Sequence, residues 1–435
     1  MTPRLVTRQS GPLSGSVRVP GDKSITHRSV IFGAMAAGTT VVHGYLPSED
    51  CQATAEAFRM MGASITVDGA TMTIISPGWN ALTEPADVID CGNSGTTARL
   101  LTGLLAGLPL FACLTGDASL RRRPMKRVAE PLAAMGAHID GRGGGALLPL
   151  AISGRQLNAI DYRSPVASAQ VKTALLLAGL TARGTTSVTE PAPSRDHTER
   201  MLPAFGVRLE VAGSRVAIAG GQAMTAPAGP ITVPGDISSA AFLIAAATLV
   251  PGSEVTIQNV GLNPTRTGLL TILDRMGAAI ERTNRREAGG EPVADLIVRH
   301  APLKGIEIEP ALVPSAIDEF PILFALATQA AGTTRVRGAD ELRVKESDRI
   351  AAMARELARV GATVREHPDG LEVTGRTPVK GAECQAYGDH RLAMSMAVLG
   401  LVAEGDMVVD PGPIATSFPG FAGLLAGVGA ALADA

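Results

Sequence analysis

Aromatic residues are scarce in this 435-residue chain: nine Phe, three Tyr and one Trp make up 3% of it. Any core must therefore be built from aliphatic side chains and Met, and stacking platforms for nucleic-acid bases have little to work with. Cysteine is nearly absent as well. Cys51, Cys91, Cys113 and Cys384 form no C-x-x-C pair and are too few for a disulfide framework, which excludes a zinc site of that kind and fits a reducing compartment. Excess charge is also missing. The formal net charge is −2 with no long basic run, so nucleic acid is not an expected partner and any anion binding has to be local. The longest apolar run, Leu100 to Leu114, is broken by glycines and a proline and falls short of the ~20 residues a membrane span needs. The opening stretch, Met1 to Gly15, lacks the apolar centre of a signal peptide. A cytoplasmic monomer without metal, cofactor, nucleic-acid or membrane contacts is the expectation.

What the chain does contain is 46% hydrophobic and 18% charged residues, a globular composition too long for one ordinary core. Six times it writes a helix ending in a glycine tripeptide followed by a strand: MMGASITV, AMGAHID, AFGVRLEV, RMGAAIE, RVGATVRE and GVGAALAD. These glycines, Gly62, Gly136, Gly206, Gly277, Gly361 and Gly429, recur roughly every 70 to 85 residues, a spacing that signals repeated units. Each stands where a left-handed residue would close a helix. Upstream of each lies a second, far more apolar helix, such as TARLLTGLLAG or AAFLIAAATL, and helices apolar all round are normally buried. The unit reads polar turn, buried helix, strand, loop, capped helix, strand. Pro124, Pro264 and Pro419 fit first helical turns, and Ser194 and Ser347 fit N-caps.

Two units of the series open alike: VPGDKS, Val19 to Ser24, and VPGDIS, Val233 to Ser238. The copies lie about 214 positions apart, so the chain is expected to cross between domains there, giving a first lobe over 20–234 and a second over 1–19 and 235–435. The predicted class is α/β (α+β), three repeats per lobe, with buried helices packed on sheets. A turn of this kind leaves the first helical N–H groups and the positive dipole end open to an anion. Only the first copy adds Lys23, His27 and Arg28; the second, with Ile237, reads as structural. Polar motifs precede all six buried helices: GDKS, GNSGTT, SAQ, GDISS, IDE and GDHR. Six dipole ends facing one cleft would suit a multiply charged anion. Singly, the motifs are ambiguous. GNSGTTAR reads equally as a capped loop, Arg121 to Arg123 as a solvated run, Lys172 as a snorkelling side chain, RDHTE and KESDR as helical ion pairs, and Asp318 and Glu319 as dipole-stabilising acids.

In this order, from VPGDKS through GNSGTTAR, RRRPM, SAQVK, SRDHTER, NPTR, IDEFP, ELRVKESDR and YGDHRLAM to IATSFP, they resemble the 5-enolpyruvylshikimate 3-phosphate synthases, essentially end to end. GDKS, SAQVK, RDHTE and NPTR resemble the second, bacterial class. The resemblance implies a two-lobed enolpyruvyl transferase fold that closes around its ligands. It implies transfer of the enolpyruvyl group of phosphoenolpyruvate to the 5-hydroxyl of shikimate 3-phosphate, with release of phosphate, in the shikimate pathway towards chorismate and aromatic amino acids. Lys23, Ser24, Arg28, Ser168, Ala169, Gln170, Arg195, Asp318 and Lys345 resemble the contacts to shikimate 3-phosphate. Lys23, Asn93, Gly95, Arg123, Gln170, Arg349, His390 and Arg391 resemble those to phosphoenolpyruvate. Asp318, Glu346 and Lys23 are the expected proton-handling groups, with no cofactor and no metal.

One departure is Thr416-Ser417-Phe418-Pro419, where the first class carries a lysine before T-F-P; Lys172, Arg195 and Arg266 are the candidates for compensation. Gly95 is retained where a bulkier alanine occurs in some glyphosate-tolerant relatives, so the sequence leaves sensitivity to that inhibitor open, with partial tolerance the expectation. The sister transferase acting on UDP-N-acetylglucosamine is the nearest alternative, but Ala118 stands where that family places its catalytic cysteine. RNA 3′-phosphate cyclisation would want a basic, aromatic surface. A dead anion-binding module would have lost the acids Asp318 and Glu346 that this chain keeps.

Overall fold

The structure, a computed structural model, describes residues 4–434; the first three residues of the N-terminal stretch and the final Ala435 of the expected second lobe lie outside it. The chain divides into two compact units, one running from Gly21 to Val233, the other joining the segment up to Pro20 with Pro234 onwards.

The apolar helices form where the composition predicts them. Lys23–Met35, Gly95–Ala106 and Ala169–Thr181 belong to the first unit, and Ile237–Leu249, Phe320–Ala327 and His390–Leu399 to the second. All are buried over nearly their whole length. Gly103 lets the backbones of the Gly95 and Ala169 helices touch, because a Cβ there would collide with Ala174. That contact packs the two helices backbone to backbone.

Each buried helix is followed by a strand, then an outer helix, and all six predicted glycines take left-handed conformations at its end, with φ between 81 and 95°. Beyond the glycine the structure corrects the expected unit. Five of the six repeats continue not into one strand but into a β-hairpin, as in Ser64–Asp68 with Thr71–Pro77. A lone strand would leave its ladder groups unpaired, and turns such as Asp68-Gly69 and Ala212-Gly213, with glycine φ of 54 and 60°, reverse the chain. Five sheets then share one order: a short parallel entry strand, the strand after the buried helix, and two antiparallel strands. In the remaining sheet an isolated bridge from Glu307 to Arg335 replaces the entry strand. The sixth repeat borrows its missing strand from the start of the chain, where Leu5–Thr7 lies between Met407–Val409 and Leu432–Asp434.

The entry strands are exchanged at the two VPGD turns. In sequence Ser14–Arg18 leads straight into the Lys23 helix, yet it pairs with Glu254–Gly261 and belongs with that strand to the unit that lacks the Lys23 helix, while Ile231–Thr232 pairs with Ala37–His43 inside the Gly21–Val233 unit. Helix starts also differ from expectation. Pro124, Pro264 and Pro419 stand in front of the capping residues Met125, Thr267 and Gly420. The positions expected of Ser194 and Ser347 are filled by Asp196 and Asp348, and Asp348 accepts from the Ala351 N–H. Among the described residues, no single helix is long and apolar enough to cross a membrane.

Candidate active site

In the Gly21–Val233 unit the site grows from the starts of three buried helices. Asp22 caps the first, accepting from the Ile25 N–H at 2.9 Å. The dipole end is therefore partly satisfied by the protein itself, contrary to the open end expected. Lys23 follows, its ammonium 3.1 Å from Asp50 and its side chain 21% exposed, so it is steered by a carboxylate yet reachable. Ser24 is half-buried. Arg28 turns inward. Its guanidinium donates to the Ser24 carbonyl at 3.0 Å, Thr173 at 2.9 Å and Thr198 at 2.8 Å, bracing one helix against two others. His27, expected to add charge, does not. Burial first, then Lys23 and Arg28, push its pKa down to about 3, so the ring is neutral, with Nδ1 2.7 Å from the Thr54 hydroxyl.

Ser94 caps the second helix. Asn93, just before it, accepts from Arg123 through its carbonyl at 3.1 Å and through Oδ1 at 2.6 Å, and donates to Asp117 at 2.6 Å. Arg123 is buried, held also by the Ser119 hydroxyl at 3.2 Å, and so is no solvated run. Above Gly95 two guanidiniums converge, since a Cβ there would lie 2.8 Å from Arg99 and 3.5 Å from Arg123. Arg99 donates to Gln170 at 2.7 Å, and Gln170 donates to Thr96 at 3.0 Å, tying the second helix to the third. Arg99 was missed by sequence reading, although an arginine inside TTARLLTGLLAG was the visible signal.

Ser168 caps the third helix, with Ala169 and Gln170 in its first turn. Its own N–H donates to Glu190 at 2.7 Å, and Ser194 donates to the other oxygen of Glu190 at 2.7 Å, so one buried acid joins the SAQ and SRD segments. Lys172 does not snorkel: it is buried between Glu190 at 2.9 Å and Glu199 at 2.7 Å. Arg195 is half-buried next to Ser194, and the i,i+4 pair in this stretch joins Arg200 to Asp196 at 2.8 Å.

The second unit gathers a different set, centred on Arg349. This fully buried guanidinium reaches Asp389 at 2.8 Å, Glu346 at 2.7 Å and Asp318 at 3.4 Å. Burial opposes its charge, but the three carboxylates, Asp389 foremost, outweigh that and hold its pKa above the ordinary arginine value. Burial likewise opposes ionisation of Asp389, and Arg349 prevails, keeping that carboxyl below its usual range. Asp318 and Glu346 keep side-chain exposures of 15 and 19%, whereas Asp389 has none. Lys345 stands 3.8 Å from Asp318, and Arg391 donates to the Asp318 carbonyl at 2.9 Å. His390 lies 3.3 Å from the hydroxyl of Thr416, in the segment that departs from the first class. Arg266, a candidate for compensation, is buried, and two of its bonds, to Asp236 at 3.2 Å and Ser238 at 2.7 Å, brace the second VPGD turn.

This fold is that of the enolpyruvyl transferases. The enolpyruvyl transferase NikO from Streptomyces tendae superposes with a TM-score of 0.79 over 100% of this chain and 99% of its own, at 20% identity. The chain belongs to the EPSP synthase (3-phosphoshikimate 1-carboxyvinyltransferase) family, whose model matches residues 7–425. The 3-phosphoshikimate 1-carboxyvinyltransferase of Citrifermentans bemidjiense is 56% identical over 422 residues, covering 97% of this chain and 98% of the relative. A solved EPSP synthase from Acinetobacter baumannii is 45% identical with a TM-score of 0.89, covering 100% of both chains. The protein is thus a transferase of the shikimate pathway.

Proposed function

We propose that the chain moves the enolpyruvyl group of phosphoenolpyruvate to the 5-hydroxyl of shikimate 3-phosphate through the two clusters described above, and that its two units are the lobes of the enzyme. Lys23, Ser24, Ser168, Ala169, Gln170, Arg195 and Lys345 would hold the shikimate phosphate and ring, with Arg28 setting the place of Ser24. Phosphoenolpyruvate carries a phosphate and a carboxylate close together, and forked guanidiniums grip such groups better than point-charge ammonium ions. Arg123, Arg349 and Arg391 take that role, with Asn93, Gly95, Gln170 and His390 beside them.

The reaction adds and then eliminates. The methylene carbon of phosphoenolpyruvate gains a proton while the 5-hydroxyl loses one and its oxygen bonds to the neighbouring carbon. The resulting methyl group then returns a proton, the double bond re-forms, and the carbon–oxygen bond to phosphate breaks. Asp318 takes the hydroxyl proton, and Glu346 with Lys23 serves the carbon and the leaving phosphate. The observation that carries this reading is the sharing of Arg349. One buried cation orients three acids, and the two that remain partly exposed are the two assigned to proton transfer.

The four cysteines are unpaired, which supports a cytoplasmic location, and activity as a monomer is part of the same proposal. Asp318→Asn keeps the shape and the neighbours. Turnover should fall ~10²–10⁴-fold, the usual worth of a positioned acid or base, with shikimate 3-phosphate binding changed only a few-fold. Unchanged turnover in steady-state assays would remove Asp318 from the chemistry.

A further inference from the structure

Glu356 is a fully buried carboxylate that the proposed chemistry does not use. It lies on the Arg349–Arg359 helix, two turns beyond Arg349, and both its oxygens are engaged. One accepts from the Tyr387 hydroxyl at 2.8 Å; the other accepts from the Gln385 N–H at 3.1 Å and from Arg359 at 2.9 Å. A charge is seldom taken out of water without such partners, and here two of the three come from one short loop.

That loop is bent in an unusual way. Tyr387 adopts φ 52° and Gly388 φ 71°, two successive left-handed residues, the first of which has a Cβ that disfavours the conformation. The Arg355 guanidinium lies over the Tyr387 ring at 6.0 Å and adds a further hold on that side chain. Immediately after the bend come Asp389, which caps the next helix and pairs with Arg349, and then His390 and Arg391. One helix therefore grips the segment 385–389 at both ends: Glu356 holds Gln385 and Tyr387, and Arg349 holds Asp389.

We infer that Glu356 is a positioning residue of the transferase: by pinning the left-handed bend at Tyr387 it sets where His390 and Arg391 stand against phosphoenolpyruvate. The inference rests on the proposed binding role of Arg391.

The test compares Glu356→Gln, Tyr387→Phe and Arg391→Ala in the full-length enzyme, measuring both Michaelis constants and kcat alongside thermal unfolding. Glu356→Gln keeps the volume but faces one of the donors with an NH₂ group. Its KM for phosphoenolpyruvate should rise about tenfold, the equivalent of one buried hydrogen bond, while KM for shikimate 3-phosphate stays within about twofold. Tyr387→Phe removes a single hydroxyl from a partly exposed ring, so it should fold and shift the same constant in the same direction by less. The double variant should be no worse than Glu356→Gln alone, because both act through one bond. A residue that merely stabilises the fold would lower the melting temperature and leave both Michaelis constants at wild-type values, and that outcome overturns the inference. If Arg391→Ala alone raises KM for phosphoenolpyruvate, the role of Glu356 is refuted and that of Arg391 stands. If none of the three does, the assignment of Arg391 fails and the inference falls with it.

Discussion

The two Pro-Gly-Asp turns use one backbone device for opposite ends. Each follows a short strand, each caps a 13-residue buried helix with its aspartate, and at Gly21 a Cβ would collide with the Gly44 carbonyl. The difference begins one residue later. After Asp22 comes Lys23, partly exposed and steered by Asp50. After Asp236 comes Ile237, buried, with Ser238 bonded to Glu319 and Arg266, and Arg266 also bonded to Asp236. The fold repeats a position, and side chains decide whether it is a site or a joint. A helix start by itself does not bind a ligand, because the caps already consume part of what it offers.

The strongest way to break this contrast is to write the second turn into the first. Lys23→Ile should lower kcat/KM about 10³-fold, the scale of losing a positioned charged group, without a large fall in melting temperature. Steady-state kinetics and calorimetry on one preparation check both halves; near-normal kcat/KM would make the turns equivalent. The converse change tests the joint. Arg266→Met strands the buried Asp236 without its cation, and unfolding titrations should show a loss of about 3 kcal/mol, with Michaelis constants unchanged in the molecules that remain folded.

A third prediction uses pH. His27 has no counterpart in the second turn, where Ala241 occupies the matching position. Its folded pKa of about 3 lies below the unfolded value near 6.5, so between those values the unfolded chain takes up a proton that the folded chain refuses. Stability should therefore fall as pH drops below ~6.5, by about 2 kcal/mol at pH 5 from this group, and level off near pH 3. His27→Asn should flatten that limb in denaturant titrations across the range. The smallest effect concerns Gly95. In Gly95→Ala the new methyl would press on the Arg99 guanidinium, whose flexible end can shift at the expense of its bond to Gln170. KM for phosphoenolpyruvate should rise about fivefold, one weakened charge-assisted hydrogen bond, with kcat less affected.

Legibility in the sequence followed the range of each physical cause. The six closing glycines were readable because a left-handed residue is a local backbone demand, and the buried helices because their composition is apolar on every face. Hairpin pairing and the exchanged entry strands were not, since nothing near Ser14–Arg18 announces that its partner is Glu254–Gly261. The same limit applied to the clusters. Cationic motifs stood out in sequence, but the acids that orient them, Asp50, Glu190 and Asp389, come from segments distant along the chain. Lys172 shows it most plainly: a lysine on an apolar helix reads as snorkelling until Glu190 and Glu199 appear beside it.

The most direct test of the whole account is phosphate release by the purified protein given phosphoenolpyruvate, shikimate 3-phosphate, or both. The account predicts sustained release only with both substrates present, lost in Lys23→Ile and Asp318→Asn. No release with the pair, or equal release from phosphoenolpyruvate alone, would contradict it.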